Sequence, residues 1–141
     1  MKVRCTIFSV FSLVTISTFA AAAYAASAPP QPLVIDSGWQ LQDVAKATQS
    51  GAQVSSASFS TTGWYVATVP GTVLTTLVNN RVYPEPLYGE NDRPEIIPES
   101  LVHTSYWYRT VFEVPAAYAG KHIWLNFDGI NYSSVIWLNG T

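Results

Sequence analysis

The chain has a single cysteine, Cys5, and it lies in an N-terminal stretch that reads as a leader to be removed. The mature protein would then hold no thiol, which excludes disulfides, thiolate metal sites and a cysteine nucleophile. Charge is sparse at 11% of residues, and no basic cluster is present, so nucleic acid is excluded as a partner. The two histidines, His103 and His122, are too few and too isolated for a metal site or a Ser-His-Asp arrangement, and they read as surface residues. No stretch has the length and purity of a membrane span. The most apolar one, 7–23, is diluted by Ser9, Ser12, Thr15, Ser17 and Thr18, which argues against a stable anchor.

That same stretch has the layout of a secretory signal. Lys2 and Arg4 form a basic start, 7–23 an apolar middle, and Ala23-Tyr24-Ala25 a small-residue cleavage site, with cleavage expected after Ala25 and a secreted or periplasmic product. Removal of 1–25 leaves five cations against nine acids, a net charge of about −4. Residues 26–32, ASAPPQP, are a Pro-rich leader in which consecutive prolines fix φ and remove backbone donors. The remainder, 33–141, is 109 residues of a chain that is 48% hydrophobic and 13% aromatic, enough for one packed domain.

The local pattern is that of strands. Segments 33–35 and 39–44 read as short strands around an Asp36-Ser37-Gly38 turn, and 48–60, small and polar, as a loop. WYVATV at 64–69 is β-branched and aromatic and ends at Pro70-Gly71, after which Thr72 can cap a short helix with Leu74, Leu77 and Val78 on one face and a stop at Asn79-Asn80. VPGTV is therefore read as a strand-to-helix corner in preference to a ligand loop. In 106–114, Tyr108, Thr110, Phe112 and Val114 alternate with Trp107, Arg109, Val111 and Glu113, with Arg109 and Glu113 marking the outer face. Further strands are expected at 122–127 and 134–138, separated by a turn carrying Asp128-Gly129 and Asn131. Asn139-Gly140 forms a second, hairpin-type turn, because both central residues of a type I′ turn need positive φ. The strand that should complete this hairpin is not in the sequence, so 33–141 reads as an incomplete sandwich domain. Ile136 and Leu138 would be uncovered, and the 141-residue chain alone would aggregate or remain partly unfolded.

The segment 83–99, YPEPLYGENDRPEIIPE, is the candidate contact surface: four prolines exclude a ladder or a helix, and its tyrosines argue against disorder. Its acids allow three readings. One is a solvated acidic loop. Another is a sugar- or domain-contacting loop in which Asn91, Asp92 and Arg93 hydrogen-bond hydroxyls. The third is a Ca²⁺ site from Glu90, Asn91 and Asp92, for which oxygen ligands exist but no spacing motif. Trp107, Trp124 and Trp137 could form a platform for a sugar ring or could pack between sheets or against a neighbouring domain. Asn131-Tyr132-Ser133 and Asn139-Gly140-Thr141 match the N-glycosylation pattern.

Three ordered motifs, ATVPGTVLTTLVNNRVYPEPLYG, SYWYRTVFEVP and FDGINYSSVIWLNG, resemble the N-terminal sugar-binding domain of glycoside hydrolase family 2, nearest its β-mannosidase and exo-β-glucosaminidase branch, over about 64–141. The resemblance implies an all-β fold, a galactose-binding-like jelly-roll β-sandwich with one short helix, here truncated at its C-terminal side. It implies a retaining mechanism in which two glutamates of a downstream barrel act on a carbohydrate substrate. No residue of 1–141 takes either catalytic role, no cofactor or metal is called for, and the chain alone should be inactive. In the β-galactosidase relatives a polar residue from the loop corresponding to 83–99 reaches the active site of the next domain; Asn91, Asp92 and Arg93 are proposed here on chemistry alone. A stand-alone carbohydrate-binding module and a purely structural domain are the alternatives.

Overall fold

The computed structural model describes residues 30–141; the expected signal at 1–25 and most of the Pro-rich leader lie outside the described residues. Its centre is a three-stranded antiparallel sheet of β1 (Gln40–Asp43), β2 (Tyr65–Val66) and β3 (Tyr106–Arg109), in the order β2-β1-β3. The middle strand is the earliest in the chain, and both partners come to it from a distance. Leu41 faces Tyr65 on one side and Tyr108 on the other, while Gln42 faces Trp107 and Asp43 faces Tyr106. Side chains alternate across a strand, so this register assigns Leu41, Asp43, Tyr65, Tyr106 and Tyr108 to one face and Gln40, Gln42, Val66, Trp107 and Arg109 to the other.

Each face receives a helix. α1 (Gly51–Val54) lies in the segment expected to be a loop, and its start carries a reciprocal cap: the Gln53 amide donates to Ser50 Oγ at 3.3 Å and the Ser50 amide to Gln53 Oε1 at 3.0 Å. Arg109 fixes the far end of α1 by donating from Nε to the Val54 carbonyl at 2.8 Å and from Nη2 to the Ser56 carbonyl at 2.9 Å. The Val54 carbonyl is one that the helix end leaves without a backbone partner, and the Ser56 carbonyl just beyond it also accepts from the Phe59 amide at 3.2 Å. The guanidinium also lies 5.8 Å from the centre of the Phe59 ring, which meets Trp64 edge-on. Arg109 was expected on an outer, solvated face. That face instead supports α1, and the arginine serves as its C-terminal clasp.

α2 (Val73–Asn79) starts at the expected cap, Thr72, whose hydroxyl accepts from the Thr75 amide at 3.0 Å. It buries Thr76 and Leu77, with Leu74 and Val78 half-buried, so the buried stripe is rotated from the expected one. Thr76 is fully buried because its hydroxyl has work to do: it accepts from the Thr68 amide at 3.0 Å. The helix is reached through the corner at Pro70-Gly71, where a Cβ on Gly71 would come within 2.7 Å of the Thr68 carbonyl oxygen, so only glycine fits. VPGTV is thus a structural corner, as expected. At the other end the Arg81 amide donates to Val78 and the Val82 amide to Leu77, both at 2.8 Å, the pattern of a Schellman motif. Its left-handed position, usually glycine, is Arg81, with φ 60°. Arg81→Gly is expected to stabilise the chain by about 1 kcal/mol by relieving the Cβ clash of that conformation. A rise in the urea midpoint for amide exchange across 73–82 checks it; an unchanged or lower midpoint contradicts it.

Buried apolar residues among those described are Leu41, Ala47, Val54 and Leu77, a core sandwiched about β1. The expected strands at 33–35, 122–127 and 134–138 do not form, and those at 64–69 and 106–114 are shortened to two and four residues. The reason lies in pairing. A strand needs a neighbour for its backbone groups, and among the described residues only β1, β2 and β3 lie side by side. Residues 122–138 keep their alternating apolar pattern yet face solvent, with Ile136 and Leu138 52% and 50% exposed, in line with the sequence expectation. The hairpin turn itself is made. Asn139 and Gly140 both have positive φ, at 51° and 92°, and Leu138 and Thr141 exchange backbone hydrogen bonds of 2.8 and 3.1 Å across it. It docks on α1: the Gly140 amide donates to Ser55 Oγ at 2.9 Å, and the Trp137 ring lies against Gly51 so closely that a Cβ there would overlap it at 2.1 Å.

Candidate functional site

Residues 83–98 are a chain of turns without a helix or a strand, as the prolines require, and Glu99 opens the 3-10 turn Glu99–His103. Backbone bonds from Tyr88 to Glu85, and from Ile96 and Ile97 to Arg93, stitch it together at 2.9 to 3.2 Å. Gly89, with φ 63°, reverses the chain at the tip, where nothing lies near its missing Cβ. Leu87 and Tyr88 project there, 92% and 79% exposed. Just before the tip, Glu85 and Pro86, with the edge of Leu87, border a shallow groove against Leu74, Val78 and Asn79 of α2. An exposed apolar and aromatic tip on an anchored base suits a surface that meets another body.

Asn91, Asp92 and Arg93 are consecutive in these turns but are not equivalent. Asn91 is half-buried, and its side-chain amide donates to the Glu85 carbonyl at 3.0 Å, so it holds the loop together. Arg93 forms an ion pair with Glu90. Asp92 is exposed and has no hydrogen-bond or ion-pair partner among the described residues. Of the three, Asp92 is the group free to accept from a hydroxyl, with the Arg93 guanidinium beside it offering donors beyond those used by Glu90. No cluster of three or more His, Cys, Asp or Glu residues that could hold a metal occurs among the described residues, and the pairing of Glu90 with Arg93 draws one of the three suggested Ca²⁺ ligands away.

The three tryptophans are placed separately. Trp107 donates its indole N–H to the Ala47 carbonyl at 3.2 Å beneath the sheet, Trp137 packs on Gly51, and Trp124 is 83% exposed. No ring pair joins them among the described residues, so the suggested platform is not assembled. His103 and His122 are both exposed, as expected. A further constellation escaped the sequence reading: Tyr65, Tyr83, Tyr106 and Asp43 converge on the α2 side of the sheet. Burial first, then Asp43 and Tyr83, push the Tyr106 phenol above its ordinary pKa. Burial likewise raises Tyr108, an effect the Thr76 hydroxyl opposes. The signal was available in principle, since alternation places 106 and 108 on one face, but the partner strand and its register were needed to add 43 and 65.

The family model described as glycosyl hydrolase 2 galactose-binding domain-like matches residues 39–141. A mannosylglycoprotein endo-beta-mannosidase from Lilium longiflorum is 35% identical over 112 residues, covering 76% of this chain and 12% of that protein. An exo-beta-D-glucosaminidase from Streptomyces avermitilis is 33% identical over 138 residues, 91% of this chain and 15% of that protein. Another exo-beta-D-glucosaminidase, from Amycolatopsis orientalis, is 31% identical over 119 residues, 84% of this chain and 11% of that protein. The chain therefore spans less than one-sixth of the length of these relatives. No solved structure matches it. With the match covering every described strand and helix, the chain belongs to the glycosyl hydrolase 2 galactose-binding domain-like family.

Proposed function

We propose that the chain is the N-terminal domain of a secreted, exo-acting glycoside hydrolase of β-glucosaminide or β-mannoside specificity, and that it supports the active site of a downstream barrel. The observation that carries this reading is the ordered match over 39–141 to a domain that forms a small N-terminal share of enzymes named for those substrates. The two carboxylates of a retaining mechanism belong to the barrel. What this domain supplies is the projecting loop, with Asp92 and Arg93 reaching toward the sugar hydroxyls and Leu87 and Tyr88 seated against the barrel. Secretion is inferred from the 1–25 signal; a mature N-terminus at Ala26 in the exported protein checks it.

A purely structural domain is the alternative, favoured by the internal use of the Asn91 amide and the Arg93–Glu90 pair. Kinetics of the full-length gene product on chromogenic β-glucosaminides and β-mannosides separate the two. A hydrogen bond from hydroxyl to carboxylate that strengthens in the transition state predicts a fall in kcat/KM of about ten- to a hundredfold for Asp92→Asn, with stability unchanged. Wild-type kinetics in that variant would leave the loop with a structural role only. The product released from oligosaccharides distinguishes exo from endo cleavage, on which the relatives' names differ.

A further inference from the structure

Of the asparagines in the chain, only Asn139 is followed by glycine, and it is exposed at the tip of the last turn. That pairing is chemically reactive. A backbone amide nitrogen can attack the side-chain carbonyl carbon of the asparagine before it and close a succinimide ring, and glycine has no side chain to hinder the approach. Here the reacting nitrogen is engaged. The Gly140 amide donates to Ser55 Oγ at 2.9 Å, and Ser55 is the residue that ends α1. On either side of the pair, Leu138 and Thr141 exchange backbone hydrogen bonds, which hold Asn139 and Gly140 at φ values of 51° and 92°. Ring closure has to swing the peptide plane between them toward the Asn139 side chain, so the amide must first leave Ser55.

We propose that Asn139 is a site of spontaneous deamidation whose rate is set by the Ser55 hydroxyl, and that the isoaspartyl product releases the Asn139-Gly140 turn from α1. In the first step the Gly140 nitrogen gives up its proton to solvent and bonds to Asn139 Cγ. The bond from Cγ to the side-chain nitrogen breaks, and ammonia leaves with a proton taken from water. Water then opens the ring. Attack at Cγ gives aspartate in a normal backbone, whereas attack at the main-chain carbonyl carbon of residue 139 gives isoaspartate, with the backbone running through Cβ and Cγ. A two-residue hairpin turn closes only with the ordinary number of main-chain atoms. The added carbon therefore costs Leu138 and Thr141 their mutual bonds, Gly140 its bond to Ser55, and Trp137 its seat on Gly51. None of this depends on the glycosidase reading above.

Peptide mapping of the full-length gene product, incubated at neutral pH with and without urea, tests it by following conversion of the Asn139 peptide to its aspartyl and isoaspartyl forms. Conversion in the folded protein is expected to be about tenfold or more slower than in urea, because it proceeds through local opening of the turn. Ser55→Ala, which removes the acceptor, is expected to speed it about three- to tenfold, the scale of one hydrogen bond. Ser55→Thr keeps a hydroxyl and should convert near the wild-type rate. Amide exchange across 50–56 should be faster in the isoaspartyl fraction than in unconverted protein. Equal rates in folded and urea-unfolded protein overturn the proposal without any variant. An unchanged rate in Ser55→Ala, or the same acceleration in both variants, overturns the role of the hydroxyl, and exchange that conversion leaves unchanged overturns the release of the turn.

Discussion

Leu41→Ala is expected to cost about 2–5 kcal/mol, the range for a fully buried leucine whose neighbours relax only partly into the cavity. Leu41 is 0% exposed and stands in the middle strand of the sheet, opposite Tyr65 and Tyr108 at once. Few other buried apolar side chains share the load: Ala47, Val54 and Leu77 complete the set among the described residues. Since whole domains are stable by only about 5–15 kcal/mol, this loss should open β1 and β3 together. Amide exchange across 40–43 and 106–109 in the full-length gene product, followed against urea, measures it. Leu41→Met, which nearly conserves volume, should cost less than about 1.5 kcal/mol. Equal effects of the two variants would show that Leu41 does not fill the core in the way described.

Arg109→Met is expected to cost about 1.5–3 kcal/mol, the scale of hydrogen bonds from a charged donor. The methionine keeps much of the aliphatic stem but leaves the Val54 and Ser56 carbonyls without the guanidinium. It also removes the cation from beside Phe59. The effect should be local. α1 is four residues long and owes its position to Arg109 at one end and to the Trp137–Gly51 contact along its side. Exchange across 50–56 should therefore accelerate more than exchange across α2, and docking of the Asn139-Gly140 turn through Ser55 should weaken with it. Uniform acceleration through both helices would instead mean that Arg109 acts on the sheet as a whole.

Local chemistry was the most legible part of the sequence. The Thr72 cap, the Pro70-Gly71 corner, the Asn79-Asn80 stop and the Asn139-Gly140 turn depend on residues a few positions apart, and each forms as expected. Ser50 and Gln53 carried an equally local capping signal that the small, polar composition of 48–60 concealed. Strand extents were less legible because a strand is defined by its partner. The alternation at 122–127 and 134–138 marks two-faced segments, but without a neighbour it produces no ladder. Arg109 shows the same limit for side chains: its polarity suggested solvent, whereas its donors were needed by carbonyls more than 50 positions earlier in the chain. At the loop, the prolines foretold an irregular, exposed segment, and residue type alone singled out Asn91, Asp92 and Arg93. Only the three-dimensional arrangement distinguished the amide and guanidinium already engaged within the loop from the carboxylate that is not.

The central proposal is that this domain supports the catalysis of a longer protein without performing it. Release of nitrophenol from p-nitrophenyl β-D-glucosaminide and β-D-mannoside, by the 141-residue chain and by the full-length gene product side by side, tests it most directly. The account predicts no turnover by the chain alone and turnover of one of the two glycosides, with retention of anomeric configuration, by the full-length protein. Turnover by the 141-residue chain, or none by the full-length protein on either glycoside, would contradict it.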